Sequence, residues 1–75
     1  MKDKHGHTVR VGDWVKFNAG IGFTNCKPYM SRILEIESNN DVCRLMYKTQ
    51  PIWRRNGHEI ELATQDEALI WRLEN

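Results

Sequence analysis

Long apolar runs are scarce in this chain. The longest, Ala68–Trp71, is far short of the roughly 20 residues that a membrane-spanning helix needs. No apolar stretch follows Met1-Lys2-Asp3-Lys4, so a secretory leader is not expected and the cytoplasm is the expected location. Cysteine is scarce too. Cys26 and Cys43 are the only two, whereas a small secreted scaffold stapled by disulfides carries about four or more, so both read as reduced thiols. No charge sign dominates: eleven Lys and Arg against ten Asp and Glu leave a formal net charge of +1. That removes the strong basic excess typical of nucleic-acid binders but allows a local basic face. Repeats and low-complexity tracts are missing.

What remains is the pattern of a small all-β domain. Seventy-five residues make one domain, and a chain this short buries only about 60–65% of the surface it exposes unfolded. Closure into a barrel, or self-association into a homo-oligomer, is therefore expected to contribute to its stability. Three Trp, two Tyr and two Phe supply large pieces for a core. Residues 1–7 read as a flexible N-terminal tail and residues 8–75 as the folded barrel.

The strands follow from alternation. Val9 and Val11 alternate with polar residues, Gly12-Asp13 interrupts, and Val15 and Phe17 resume. This predicts one sharply bent first strand or two short ones. Asn18–Pro28, with Gly20, Gly22 and Asn25, reads as a long loop. Tyr29–Glu37 and Val42–Thr49 form an expected hairpin with Asn39-Asn40 at its tip. In that register Glu35 faces Arg44, Ile36 faces Cys43, Leu34 faces Leu45 and Arg32 faces Tyr47. Ile33, Met46 and Ile52 fall on the outer face. A second hairpin is expected around Asn56-Gly57, because Asn-Gly favours the two-residue turn that needs positive φ at both positions. It sets Trp53 opposite Ile60 and Arg54 opposite Glu59, with Trp53, Ile60 and Leu62 inward.

Thr64-Gln65-Asp66-Glu67 is a capping box. Two continuations are open: a short helical turn followed by a closing strand over Ile70–Leu73, or one amphipathic helix over Gln65–Leu73. The turn and strand are preferred, because a closing strand would cover the edge of the first strand.

This order of about five to six short antiparallel strands, with a long first loop and Val11-Gly12-Asp13-Trp14-Val15 near the start, resembles an SH3-like small β-barrel. It is also similar in length and in its Gly-Asp-x-Val strand to the plasmid-borne type II dihydrofolate reductases. That resemblance implies four barrels lining one pore, with a Gln-Ile-Tyr stretch and a lysine holding folate and nicotinamide cofactor. Here Glu59-Ile60-Glu61-Leu62 and Phe17 stand at those places, and added carboxylates would repel both anionic ligands. The architecture carries over and the activity does not, so no cofactor is expected.

Catalytic and metal chemistry have little to stand on. His5-x-His7 lacks the further ligands that a structural metal site needs. Gly20-Ile21-Gly22 lacks the third glycine and the Gly-Lys-Ser/Thr of a phosphate loop. No nucleophile signature surrounds Ser31, Cys26 or Cys43. Glu35, Glu37, Glu59 and Glu61 alternate as a solvated strand face does. The expectation is a non-enzymatic binding module. Its proposed ligand set is Tyr29, Arg32, Tyr47, Trp53, Arg54 and Arg55, a mixture of basic and stacking side chains of the kind that binds single strands. The loop Asn18–Tyr29 and the Trp53–His58 tip would frame it. Nucleic acid, RNA or DNA, and a protein or peptide are the two open classes of partner.

Overall fold

The computed structural model describes residues 1–18 and 28–74. The expected loop contribution of residues 19–27, with Cys26, Ile21, Phe23 and Gly20-Ile21-Gly22, lies outside the described residues. Among the described residues six strands form two antiparallel sheets, followed by one helix: β1 Trp14–Asn18, β2 Pro28–Arg32, β3 Glu35–Glu37, β4 Val42–Tyr47, β5 Gln50–Arg55, β6 Ile60–Leu62 and α1 Gln65–Glu74. The first sheet has the order β2-β1-β6 and the second β3-β4-β5. Among the described residues their ladders do not join into one closed cylinder. The described helix is too short to cross a membrane.

Alternation does the local work. In β1, Val15 and Phe17 point into the core at 0% and 3% exposure, while Trp14 and Lys16 take the other face. In β4, Cys43 and Leu45 point inward and are fully buried. These side chains meet Val9, Ile33 and Ile60 in a single core between the sheets. Met1, Tyr29, Ile36, Ile52 and Leu62 pack around it.

The first expected hairpin is present near its tip: Glu35 pairs with Arg44 and Ile36 with Cys43. Farther from the tip the expectation fails. Tyr29–Glu37 is not one strand but two, in different sheets. The Ile33 amide donates to the Asp13 carbonyl, just before β1 of the first sheet, and the very next amide, Leu34, donates to the Arg44 carbonyl in the second. Arg32 consequently pairs with Trp14, not Tyr47. Crossing between sheets at this point buries Ile33 and leaves Leu34 39% exposed, so Leu34 and Leu45 do not share the core. Ile52 likewise packs inward. Ser31 bridges the corner: its hydroxyl donates to the Arg32 carbonyl and accepts the Met46 amide.

The second expected hairpin is also corrected. Asn56 does take positive φ, and its Oδ1 accepts the His58 amide. Gly57–Glu59 then forms a 3₁₀ turn that carries β6 away from β5 and onto β1. Trp53 is therefore not inward; it lies on the outer face, opposite Arg44, and is 50% exposed. The actual partner of β5 is β4, joined through Lys48-Thr49 with Tyr47 opposite Gln50. Lys48 sits at φ +56°, and its amide is held by the Tyr29 hydroxyl.

Residues 1–7, expected as a tail, pack onto the sheet edge. Lys2 bridges Thr8, the Lys4 amide donates to the Ile60 carbonyl at the start of β6, and the Val9 amide donates to the Met1 carbonyl. Asp3 is buried, and its carboxylate accepts the amides of His5, His7 and Leu62.

The capping box forms as expected: Glu67 donates its amide to Thr64 Oγ1 and returns a carboxylate oxygen to the Thr64 amide. The closing strand does not follow. The chain stays helical to Glu74, because both edges of β1 are already taken, by β2 and β6. The edge that a closing strand was expected to cover is not open. Ala68 is buried, and Trp71 meets Tyr29 edge-on with ring centroids 4.6 Å apart.

Candidate functional site

Trp14 and Arg32 are directly paired on the outer face of the first sheet. Two cations converge on the Trp14 indole: the Arg32 and Arg72 guanidinium carbons each lie 5.6 Å from its ring centroid. Arg32 comes from the sheet, and Arg72 from the last turn of α1. Neither has a carboxylate partner among the described residues. Guanidinium groups are weakly hydrated and planar, so they stack on aromatic faces while keeping N–H donors outward.

Beside this cluster runs a groove of about 400 Å³, lined by Trp14, Tyr29, Met30, Leu34, Met46 and Trp71 together with Ser31, Arg32 and Arg72. Its wall is a packed aromatic set. Tyr29 is the hub, 5.7 Å from Phe17, 5.0 Å from Tyr47 and 4.6 Å from Trp71 between centroids. The Tyr29 hydroxyl accepts the Lys48 amide at 3.1 Å, which fixes its ring.

Of the six residues expected to bind, the structure brings Tyr29 and Arg32 into this groove and sets Tyr47 behind Tyr29. The others lie elsewhere. Trp53 is on the outer face of the second sheet under Arg44, 5.7 Å from its ring centroid. Arg54 is tied into the structure over the Phe17 ring at 5.1 Å, bonded to the Asn18 carbonyl and paired with Glu59 at 3.6 Å. Arg55 ends β5 in this second sheet, and its side chain lies outside the described part. Sequence reasoning missed Trp14, Met30, Trp71 and Arg72. The signal for the last two was available in the helix reading, where Ala68, Trp71 and Arg72 fall at i, i+3 and i+4 on one side.

A second cleft, of about 440 Å³, opens between Lys4, Lys16, Asn18, Arg54, His58 and Glu61. Most of its charges neutralise one another. Lys16 meets Glu67 at 2.6 Å and Glu61 at 3.2 Å, and His5 meets Glu61 at 2.7 Å. The Glu67 bond, opposed by partial burial and reinforced by Glu61, raises the Lys16 pKa above the ordinary lysine value. Bonds from His5 and then Lys16 lower that of Glu61, and the Lys16 bond lowers that of Glu67. Phe17 and Ile60, which stand where the reductase resemblance places ligand-binding residues, are 3% and 1% exposed and belong to the core.

Cys43, Ser31 and His7 have structural employment. Burial pushes the Cys43 thiol up to about 11, which keeps it protonated and weakly nucleophilic. The Ser31 hydroxyl serves the sheet corner. His7 Nδ1 lies 3.2 Å from Asp3. Among the described residues no group of three or more His, Cys, Asp or Glu is arranged to hold a metal ion.

Comparison with protein families, with curated proteins and with solved structures finds no match to this chain.

Proposed function

We propose that this protein is a small non-enzymatic binding module of SH3-like architecture that binds nucleic acid, RNA or DNA, through the Trp14–Arg32–Arg72 groove. The observation that carries this reading is the pair of guanidiniums stacked on one indole without a carboxylate partner among the described residues. Arginine side chains held in this way present their donors in the fork that matches phosphate oxygens. An apolar, aromatic-walled groove beside them suits a base. The larger cleft is the weaker candidate because its cations are mostly paired within the protein.

The test is a titration of a fluorescently labelled oligonucleotide against the wild type and an Arg32→Gln/Arg72→Gln double variant. The double variant is expected to bind at least about tenfold more weakly, in line with the loss of two charge-assisted contacts, while remaining folded at the assay temperature despite the loss of its two cation–π contacts. Equal binding by both proteins, or none by the wild type, removes the reading.

A second reading, a protein partner or a second copy of the chain, is favoured by one separate observation. Leu69, Ile70 and Leu73 are 49%, 55% and 78% exposed along the outward side of α1. Light scattering across a concentration series tests self-association, and a monomer at all concentrations would count against it.

A further inference from the structure

Resting on that nucleic-acid reading, we infer that the groove takes one unpaired base of a single strand while Arg32 and Arg72 hold an adjoining phosphate. The site therefore selects single strands over duplexes and is tolerant of sequence. The inference starts from how little charge the site offers. Only two guanidiniums lacking carboxylate partners among the described residues meet at Trp14. Gathered around one indole, they form a small positive spot and not a track. Duplex binding that relies on the backbone uses roughly 6–10 phosphate contacts and becomes steeply salt-dependent. Two contacts cannot supply that.

The apolar groove must therefore contribute the larger share of the affinity. In a duplex both faces of every base are covered by its stacked neighbours, so only base edges reach a protein surface. A base that enters a recess lined by Met30, Leu34, Met46 and Trp71 has to leave the stack. Single strands meet that condition at little cost; duplexes have to be opened first.

Sequence tolerance follows from the polar atoms of the lining. The Ser31 hydroxyl already donates to Arg32 and accepts from Met46. The Tyr29 hydroxyl already accepts from Lys48. Beyond the arginines, the lining keeps the Tyr29 O–H and the Trp14 indole N–H as separate donors, not the matched donor and acceptor pair that reads a base edge, and a flat apolar contact accepts any base.

Three probes test this at one salt concentration: a single-stranded oligonucleotide of mixed sequence, the duplex of the same sequence, and a single strand of the same length carrying abasic sites. The single strand should bind at least about tenfold more tightly than either of the others, the scale of one base stack. Its log affinity should fall with log salt at a slope no steeper than about −1.5, the value for a single strand even if each arginine neutralised its own phosphate. Different homopolymer strands should agree within severalfold. A Leu34→Gln variant, which puts an uncharged polar group at a partly exposed position of the lining, should weaken the intact strand and hardly change the abasic one. Equal affinity for duplex or abasic strand, or a steep salt slope, overturns the inference and leaves general nucleic-acid binding standing. If none of the three probes binds, the inference falls together with the reading on which it rests.

Discussion

The Asp3 carboxylate accepts the backbone amide of Leu62 at 2.7 Å, across 59 positions of sequence. This bond joins the first residues of the chain to β6, one of the two strands flanking β1. The same carboxylate takes the amides of His5 and His7, and its side chain is closed to solvent. Burial by itself would raise its pKa. The amides of Leu62 and His7, with smaller help from the His7 ring and the His5 amide, outweigh it and hold the group at about 2.

Stability should therefore depend on Asp3 in acid. A carboxyl that titrates lower in the folded state than unfolded stabilises the fold fully above its unfolded value, here 3.8, and loses that contribution as pH falls toward about 2. The shift corresponds to about 2 kcal/mol. Denaturant melts between pH 7 and pH 2 should show this loss for the wild type. An Asp3→Asn variant, less stable at pH 7, should have a shallower profile over that interval. Parallel profiles would contradict this.

Gly57 is required for close approach rather than for a positive φ. A Cβ added there would lie 1.6 Å from the Lys2 carbonyl oxygen. Backbone on backbone cannot give way as a side-chain end can. Gly57→Ala should lower stability by more than about 2 kcal/mol, or roughly 8–16 °C in melting temperature for a domain of this size. Gly6→Ala and Gly12→Ala meet nothing within 4 Å but stand at φ +83° and +96°, so they should cost less, about 1 kcal/mol each. A melt of Gly57→Ala at the wild-type temperature would show that the amino-terminal segment does not lie where described.

Lys16 ties β1 to β6 and α1 at once, through Glu61 and Glu67. Lys16→Met should cost about 0.5–1 kcal/mol, a modest value because all three side chains are partly solvated. The cost should shrink at 1 M salt, where the screening length is about 3 Å. The carboxylate contribution is present above the ordinary glutamate pKa and fades as pH falls through the lowered values. The lysine contribution fades only as pH rises through its raised value. A salt-independent difference between variant and wild type would assign the effect to packing.

The two sides of α1 should respond differently. Trp71 packs on Tyr29, so Trp71→Ala should cost about 2–3 kcal/mol, toward the lower end for a large aromatic because the site is only partly buried. Leu73, 78% exposed, should tolerate Ala within about 0.5 kcal/mol. Equal losses in thermal melts would mean that the helix is buried on both sides, by self-association if Leu73→Ala also alters the apparent mass.

The all-β class, the Glu35–Arg44 register, the inward Cys43 and the Thr64–Glu67 capping box were legible because each rests on residues close in sequence with one physical preference. The groove was legible only in part. Tyr29 and Arg32 were found as basic and stacking residues, but Trp14 pairs with Arg32 only because the chain leaves the first sheet between Ile33 and Leu34. Asn56-Gly57 marked a turn truly and a hairpin falsely, since a turn residue sets local φ and not which strand lies next. Nothing in Lys48-Thr49 advertises a hairpin, and Lys48 takes positive φ against its own preference under the Tyr29 hydroxyl.

By itself, then, the sequence determined the period-2 strands, the capped helix start and the near-neutral charge, because these depend on neighbours a few residues away. Only the tertiary structure decided which strands pair, that the amino terminus closes on β6, and that Arg72 reaches Trp14. Those outcomes depend on contacts between distant segments. A strand with an apolar face can bury it against more than one partner, and the choice falls to the packing that leaves the fewest amides and apolar faces exposed.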